Sequence, residues 1–282
     1  MILLDGKQTA AAVRADIKKQ AEQAVSKYGD PITLAVILVG DNPASKVYVA
    51  NKIKACAEVG FLSRHIVLGA DSTDEDVLRE IEALNADPSV AGILLQLPLP
   101  KDCHEQRLLM AIDPAKDVDG LHVLQRGRLF CGMPALLPCT PFGVMRLLEH
   151  YGIDVAGKHV VVVGRSNLVG KPLSMMMLNA NATVTVCHSY TVDLAAVCRT
   201  ADVLCVAIGR PNFVTADMVK EGAVVVDVGI NRTEERLVGD VNFAAVAPKC
   251  SYITPVPGGV GPMTVTMLMQ NTLNAYLGVR KG

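Results

Sequence analysis

The chain has 282 residues, with 27 basic and 28 acidic side chains, and its formal net charge is therefore −1. Half of the residues are hydrophobic, which excludes a disordered chain and is sufficient for a buried core. The near-neutral charge and the absence of Trp argue against a nucleic-acid-binding protein, because phosphate binding needs clustered Lys and Arg and base stacking needs aromatic rings. These values predict a globular protein that acts on a small molecule.

The hydrophobic pattern alternates short apolar runs with longer amphipathic segments, which is typical of strands followed by crossover helices. The predicted strands in chain order are Ile32–Val39, His65–Leu68, Ala91–Leu95, His159–Val163, Thr183–Cys187, Val203–Ile208, Ala223–Val228 and Tyr252–Thr254. The predicted helices are Thr9–Tyr28, Ala44–Val59, Asp74–Asn85, Pro141–His150, Lys171–Asn179, Leu194–Thr200 and Thr264–Leu277. Runs without polar alternation, such as residues 160–163, suit strands buried on both faces of a parallel sheet, so the predicted fold class is α/β.

A domain boundary is predicted between Pro134 and Pro141, where prolines interrupt any regular element. Three strand–helix units precede this segment, and the strand that follows it leads into a glycine-rich turn. The predicted architecture is two α/β domains with a cleft between them.

The cysteine pattern and the apolar runs bear on the compartment. None of the eight cysteines forms a C-x-x-C pair, so we expect buried, reduced thiols rather than disulfides or a zinc site. The first five residues do not resemble a signal or transit peptide, and no apolar run approaches the roughly 20 residues of a membrane span. The expected location is the cytoplasm, without a membrane partner.

The segment Gly164-Arg-Ser-Asn-Leu-Val-Gly170 lies between a predicted strand and a predicted helix. In that context a glycine-rich turn can present backbone N–H groups to a pyrophosphate at the helix start. The match to the dinucleotide motif G-x-G-x-x-G is imperfect, because Ser166 replaces the second glycine and the spacing is one residue longer. A purely structural tight turn therefore remains an alternative to a cofactor site.

The residues after the next predicted strand bear on the choice of cofactor. An NAD site places an acidic residue there to bind the ribose 2′-hydroxyl, but His188, Ser189 and Tyr190 follow this strand. Arg165 in the glycine-rich turn can meet a 2′-phosphate, and the Ser189 hydroxyl can donate to it. These features favour NADP over NAD, although Arg165 can equally be a solvated surface charge.

Tyr48 and Lys52 are four residues apart in a predicted helix and therefore share one face. The predicted buried stripe of the same helix is Val49, Ile53, Cys56 and Gly60. A ring and an amine at the edge of a cleft can stack a planar substrate and transfer a proton, provided that burial lowers the pKa of the lysine. An exposed helix face with a solvated Lys52 is the alternative.

Three further features lie on predicted strand ends or loops. Gln96 ends an apolar strand, where ligands of open α/β sheets bind, or it caps a loop. The acidic segment Asp113–Gly120 offers a carboxylate for substrate binding, or it is an Asp-Gly turn. The Gly- and Pro-rich segment 254–264 fixes an unusual backbone before a helix, as a ligand loop or a rigid turn. Zinc hydrolase, serine hydrolase and NTPase motifs are absent from the sequence, and no metal site is predicted.

Six motifs together resemble those of the bifunctional methylenetetrahydrofolate dehydrogenase/methenyltetrahydrofolate cyclohydrolase family, called FolD. They are Tyr48-Val-x-x-Lys52-x-Lys54, Gln96-Leu-Pro-Leu-Pro100, Lys116-Asp-Val-Asp-Gly120, Pro138-Cys-Thr-Pro141, Gly164-Arg-Ser-x-x-Val-Gly170 and Pro255-Val-Pro-Gly-Gly-Val-Gly-Pro-Met-Thr264. Each motif is weak alone, but six in order over nearly the whole chain are specific. The resemblance implies NADP-dependent oxidation of 5,10-methylenetetrahydrofolate to the 5,10-methenyl form, followed by hydrolysis to 10-formyltetrahydrofolate.

The resemblance also implies the role of each site residue. Lys52 is the expected catalytic acid/base, Gln96 tunes it, Tyr48 stacks on the folate ring and Asp119 binds the pterin. The expected folate-binding loop consists of Pro257, Gly258, Gly259, Val260 and Gly261. The expected NADP-binding residues are Gly164, Arg165, Ser166, Ser189 and Ile230. Tyr190 is a departure, because some relatives have a basic residue at that position, and it leaves the strength of the NADP preference open.

The implied domains are a folate-binding catalytic domain of residues 1–138, completed by a C-terminal helix at 264–282, and a Rossmann-type, doubly wound NADP-binding domain of residues 139–263. A homodimer is also implied. Two other functions remain open: a dehydrogenase for a different small substrate, which needs no Tyr48, Lys52 and Gln96 set, and a non-catalytic nucleotide-binding regulator.

Overall fold

The computed structural model describes residues 1–234 and 236–281, and the side chains of residues 279–281 lie outside the described part. The helices are α1 (Gly6–Tyr28), α2 (Pro43–Val59), α3 (Asp74–Ala86), α4 (Glu105–Ala111), α5 (Val123–Phe130), α6 (Cys139–His150), α7 (Gly170–Asn179), α8 (Leu194–Cys198), α9 (Phe243–Val246) and α10 (Val260–Lys281). The strands are β1 (Ile2–Leu3), β2 (Thr33–Val39), β3 (Leu62–Leu68), β4 (Gly92–Leu95), β5 (His159–Val163), β6 (Thr183–Cys187), β7 (Val203–Val206), β8 (Val224–Asp227), β9 (Asn231–Arg232), β10 (Leu237–Val238) and β11 (Tyr252–Ile253).

The chain divides into two compact units, each built on one parallel sheet. The three-stranded unit comprises Ala12–Cys139 and the chain from Val265 onward. The six-stranded unit comprises Met1–Ala11 and Thr140–Thr264. Parallel strands joined through helices confirm the predicted α/β class.

The sheet of the three-stranded unit has the order β3-β2-β4, with all strands parallel. Strand β2 is central and its residues from Leu34 to Val39 are buried, as a run without polar alternation predicts. The chain leaves β2 for β3 on one side and later returns to β4 on the other side. The carboxyl ends of β2 and β4 therefore flank a point of topological reversal, where open α/β sheets bind their ligands.

The sheet of the six-stranded unit has the order β1-β11-β8-β7-β5-β6 and is also parallel throughout. The run at residues 160–163 forms β5, and these residues are at most 1 % exposed. Strands β6 and β7 flank β5 on opposite sides, so the strand order reverses at β5. This is the doubly wound arrangement predicted from the sequence.

The structure differs from the expected boundaries at the beginning of the chain. Residues 1–11 belong to the six-stranded unit, whereas the sequence placed them with residues 12–138. The physical reason is that Ile2 and Leu3 form β1, which pairs with Tyr252 and Ile253 of β11. A two-residue strand carries no periodic signal, so its partner is decided by tertiary contacts.

Some predicted local features also differ from the structure. Helices α4 and α5 were not predicted, because their seven and eight residues are too short for a strong helical period. In α2, Val49 and Cys56 are buried as expected, but Gly60 is exposed. Gly60 ends that helix in the left-handed conformation at φ 79° and does not belong to the stripe.

Candidate active site

The side chains of Lys52 and Gln96 meet at the carboxyl end of the three-stranded sheet. Lys52 lies on α2, which follows β2, and Gln96 directly follows β4. The Lys52 Nζ donates a hydrogen bond to the Gln96 Oε1 at 2.7 Å. Because Gln96 is only 7 % exposed and its backbone N–H donates to the Ile37 carbonyl, the acceptor is fixed by the sheet.

The local sequence determines where α2 begins and hence where Lys52 lies. The Asn42 side chain accepts hydrogen bonds from the backbone N–H groups of Ala44 and Ser45, and Pro43 occupies the first turn. Both features are helix-start signals that were readable in the sequence. Lys52 therefore lies two and a half turns into a helix whose start is fixed at the end of β2.

Burial lowers the pKa of the Lys52 amine from its ordinary value, because desolvation disfavours the ammonium form. The carboxylate of Asp119 opposes this effect by stabilising the positive charge. The thiol of Cys139 lies in the same region, and burial raises its pKa well above the usual range. Lys52 is therefore a partly desolvated amine with a fixed acceptor, which suits it to proton transfer at neutral pH.

The loop that carries Asp119 is held by another lysine, Lys116, which is buried. The Lys116 Nζ donates to the carbonyls of Leu84, Asn85 and Asp87 at 2.9, 2.8 and 2.7 Å. These carbonyls belong to the end of α3, where backbone oxygens lack helical partners. Lys116 thereby ties the loop to the helix, a structural role that the sequence did not indicate.

Next to Lys116, the carboxylate of Asp117 closes the same loop by accepting a hydrogen bond from the backbone N–H of His122 at 2.7 Å. Burial raises the pKa of Asp117 to about 6. Asp119 lies in the segment between Asp117 and His122 and is half-buried.

Tyr48 lies one helical turn before Lys52 on α2 and its side chain is 49 % exposed. The structure thus places Tyr48, Lys52, Gln96 and Asp119 in one unit, with Lys52 linked to Gln96 by a hydrogen bond and to Asp119 by charge. An exposed ring beside a desolvated amine is suited to stacking on a planar substrate.

In the six-stranded unit, the predicted glycine-rich turn connects β5 to α7. Gly164 has φ +124°, and a Cβ atom there would overlap the carbonyl oxygen of Ala207 on the neighbouring strand end. Only glycine fits at that position. The Ser166 hydroxyl accepts hydrogen bonds from the N–H groups of Val169 and Gly170 at 3.1 and 3.3 Å, and so caps the start of α7.

A cavity of about 350 Å³ opens at this turn. Its wall includes four of the five predicted NADP-binding residues, namely Gly164, Arg165, Ser166 and Ser189. The rest of the wall is formed by Val163, His188, Leu194, Ala207, Ile208, Arg210 and Phe213. The side chains are mixed apolar and basic, and no carboxylate is among them, so the cavity fits the phosphate-bearing part of a dinucleotide.

Ile230, the fifth predicted NADP-binding residue, does not line this cavity. It follows β8, is 48 % exposed, and its Cδ1 lies 3.4 Å from the position that a Cβ at Gly261 would take. The structure thus brings Ile230 close to the predicted folate loop, Pro257–Gly261. This loop belongs to the six-stranded unit, and its last two residues are the first two residues of α10.

Two residues near the cavity were missed. Arg210 follows the end of β7, and the rule that strand ends carry ligand contacts could have identified it. Asp240 accepts backbone hydrogen bonds from residues 208–210 behind the cavity. No local pattern connects it to the site, because it is 30 residues away along the chain from Arg210.

The cysteines follow the expectation in most positions. All eight are free, and six are buried, whereas Cys103 is half-buried and Cys131 is exposed. Within residues 1–234 and 236–281, no helix is long and apolar enough to span a bilayer. The same residues contain no cluster of three or more metal-binding side chains.

Comparison with known proteins agrees with this geometry. The sequence-family model of the tetrahydrofolate dehydrogenase/cyclohydrolase catalytic domain matches residues 4–119. The sequence-family model of the NAD(P)-binding domain of the same family matches residues 138–279. The chain is 58 % identical over 280 residues to a protein of Oleidesulfovibrio alaskensis described as "Bifunctional protein FolD", covering 98 % of both chains.

Solved structures give the same result. A bifunctional FolD from Campylobacter jejuni has 50 % identity and a TM-score of 0.97, with 99 % of each chain covered. The FolD of Trypanosoma brucei, whose structure was determined with NADP cofactor and an inhibitor, has 36 % identity and a TM-score of 0.95, covering 100 % of this chain and 99 % of that one. Since both domains match over nearly the full length, this chain belongs to the tetrahydrofolate dehydrogenase/cyclohydrolase family, FolD.

Proposed function

We propose that the protein oxidises 5,10-methylenetetrahydrofolate to 5,10-methenyltetrahydrofolate with NADP⁺ and then hydrolyses the product to 10-formyltetrahydrofolate. The observation that carries this proposal is the hydrogen bond from the desolvated Lys52 amine to Gln96, at the point where the three-stranded sheet reverses its strand order. Membership of the family and the basic cavity beside Gly164 support the choice of reaction and cofactor.

The oxidation needs alignment more than it needs a protein nucleophile. A bound NADP⁺ would supply the hydride acceptor for the one-carbon methylene group. The chain contributes the Gly164 turn and the Arg165 guanidinium for binding. Tyr48, Asp119 and the loop Pro257–Gly261 are proposed to hold the folate, and Ile230 to lie near the nicotinamide side.

The hydrolysis needs proton transfer. Water adds to the methenyl carbon, one proton leaves the attacking water, and opening of the ring requires a proton at the departing nitrogen. Lys52 can accept the first proton only in its neutral form, and its lowered pKa increases the neutral fraction. Gln96 accepts a hydrogen bond from the amine at 2.7 Å in either state and thereby keeps Lys52 in place.

The proposed assembly is a homodimer in the cytoplasm that binds neither nucleic acid nor membrane. The family resemblance suggests the dimer, and the near-neutral composition argues against a nucleic-acid partner. The molar mass in solution, measured by light scattering, tests the dimer.

The function is tested by a steady-state assay with 5,10-methylenetetrahydrofolate and either NADP⁺ or NAD⁺. The methenyl product should accumulate with NADP⁺, and it should then decay as the formyl product forms. NADP⁺ binding without turnover of the folate would indicate a nucleotide-binding regulator instead. Turnover of another small substrate but not of the folate would indicate a different dehydrogenase.

A further inference from the structure

Asp240 is the most completely satisfied buried carboxylate near the cavity. It is 0 % exposed, and four N–H groups converge on its two oxygens. The Oδ2 atom accepts from the backbone of Ile208 at 2.7 Å and of Gly209 at 3.0 Å. The Oδ1 atom accepts from the backbone of Arg210 and from the Asn231 side chain, both at 2.8 Å.

The bonding pattern of Asp240 is unusual because no cation takes part in it. Among the described residues, no Lys, Arg or His forms an ion pair with this carboxylate. Hydrogen bonds to N–H groups therefore satisfy this buried carboxylate in place of an ion pair. Three of the four donors are consecutive backbone groups, so the carboxylate fixes the conformation of one turn, residues 208–210.

That turn is part of the cavity wall. It follows the end of β7, the strand next to β5, and contributes Ile208 and Arg210 to the same cavity as Gly164 and Arg165. The Arg210 side chain is exposed, and its guanidinium lies 4.5 Å from the centre of the Phe213 ring. Among the described residues, neither Arg165 nor Arg210 pairs with a carboxylate.

Two guanidinium groups without carboxylate partners in one cavity are suited to phosphate oxygens, which they can bind through charge-assisted hydrogen bonds. Arg165 was already a candidate for this role from its place in the glycine-rich turn. Arg210 approaches from a different strand end, and the direction of its side chain depends on the backbone that Asp240 holds.

We propose that Arg210 is a second phosphate-binding residue of the cofactor site and that Asp240 is its positioning residue, acting through the backbone of residues 208–210. This inference rests on the proposed use of NADP. Asp240 itself does not line the cavity and makes no contact with the cofactor in this proposal.

The test is a double-mutant cycle with Arg210→Met, Asp240→Asn and the double variant, read as the Kd of NADP⁺ by calorimetry without folate. Asparagine keeps the shape of Asp240 but presents an NH₂ group to donors that need an acceptor. Loss of a charge-assisted phosphate contact should raise the Kd about 10- to 100-fold in Arg210→Met. Asp240→Asn should raise it by a comparable factor, and the double variant should be little weaker than either single variant.

Controls separate positioning from general loss of stability. Val246→Ala removes buried atoms from the core of the same unit, away from the cavity wall, and should lower the melting temperature without changing the Kd. In steady state, Asp240→Asn should raise the KM for NADP⁺ and leave kcat nearly unchanged. Should Asp240→Asn fail to fold, Asp240→Ser removes the charge without adding an amide donor and should give the same result.

Two results would overturn the inference. One is an unchanged Kd in Arg210→Met, a variant of an exposed side chain that leaves the fold intact. The other is full additivity in the double variant, which would mean that Asp240 acts independently of Arg210. A wild-type protein that does not bind NADP⁺ would instead contradict the proposed function.

Discussion

The two units position their candidate functional groups in a similar way, but these groups have different chemistry. In both, the candidate groups follow parallel strands at a point where the strand order reverses. In the three-stranded unit the central group is a desolvated amine hydrogen-bonded to a buried amide. In the six-stranded unit the groups are a glycine-rich turn and exposed guanidinium side chains. The topology thus determines where a site forms, and local burial determines what it can do.

The two sites need opposite degrees of burial for their functional side chains. A proton-transfer group must change its charge near neutral pH, and desolvation of Lys52 moves its pKa in that direction. A phosphate-binding group must be accessible to its ligand, and Arg165 and Arg210 are exposed. If this comparison is right, substitutions in the two units should affect different measurements.

The largest expected effect is on hydrolysis in Lys52→Met. Because the variant keeps the apolar stem but has no amine, the cyclohydrolase rate should fall about 10²- to 10⁴-fold. The dehydrogenase rate should fall much less, since that step needs no proton transfer from the protein. Lys54→Met, an exposed lysine on the same helix, is the control and should keep both rates. Full hydrolysis by Lys52→Met would disprove the role assigned to Lys52.

The next effect concerns cofactor selection in the six-stranded unit. In Arg165→Met, loss of a charge-assisted contact should raise the Kd of NADP⁺ about 10- to 100-fold and change the Kd of NAD⁺ much less. Hydrolysis of added methenyltetrahydrofolate should continue. Lys158→Met removes an exposed cation that precedes β5, at the opposite end of that strand, and should bind NADP⁺ normally. Equal losses for both cofactors would show that Arg165 does not read the 2′-phosphate.

Lys52 and Lys116, two lysines whose pKa burial lowers, should differ from each other. Lys116→Met leaves three carbonyls at the end of α3 without their donor, and it should lower the free energy of unfolding by about 1–3 kcal/mol. The folded enzyme should still hydrolyse methenyltetrahydrofolate. Urea denaturation measures this change in the free energy of unfolding. The control is Lys19→Met at an exposed lysine, whose free energy of unfolding should stay within about 0.5 kcal/mol of wild type. Wild-type stability in Lys116→Met would contradict the structural role.

The smallest expected effect is a shift in a pH profile. The rate of hydrolysis should rise with pH as Lys52 loses its proton, with a midpoint below about 10.4, the ordinary lysine value. In Gln96→Leu the ammonium form loses its acceptor, so the pKa of Lys52 should fall further and the midpoint of the kcat profile should move to lower pH. A midpoint that moves upward, or that survives in Lys52→Met, would mean that another group titrates.

Much of the architecture followed from local patterns. Apolar runs such as residues 160–163 predicted strands of a parallel sheet, and the helix that carries Lys52 was predicted to start at Ala44, one residue after its observed start at Pro43. The steric requirement at Gly164 was also consistent with its place between a strand and a helix. These features depend on neighbouring residues, so a single sequence is enough to reveal them.

Three of the missed features depend on partners that are distant along the chain. Ile2 and Leu3 join the sheet through β11, about 250 residues away. Lys116 finds its three carbonyls at the end of α3, and Asp240 finds its donors in residues 208–210. Sequence spacing carries no signal for such contacts.

The sequence by itself determined the α/β class and most of the helices and strands, because periodicity, capping and turn chemistry are local, while the roles proposed for the site residues came from the resemblance of its motifs to a family. Only the tertiary structure decided that the Lys52 amine is desolvated against Gln96 and that a buried carboxylate fixes the turn bearing Arg210. The physical reason is that desolvation and hydrogen-bond satisfaction depend on what surrounds a group in space, whatever its neighbours along the chain.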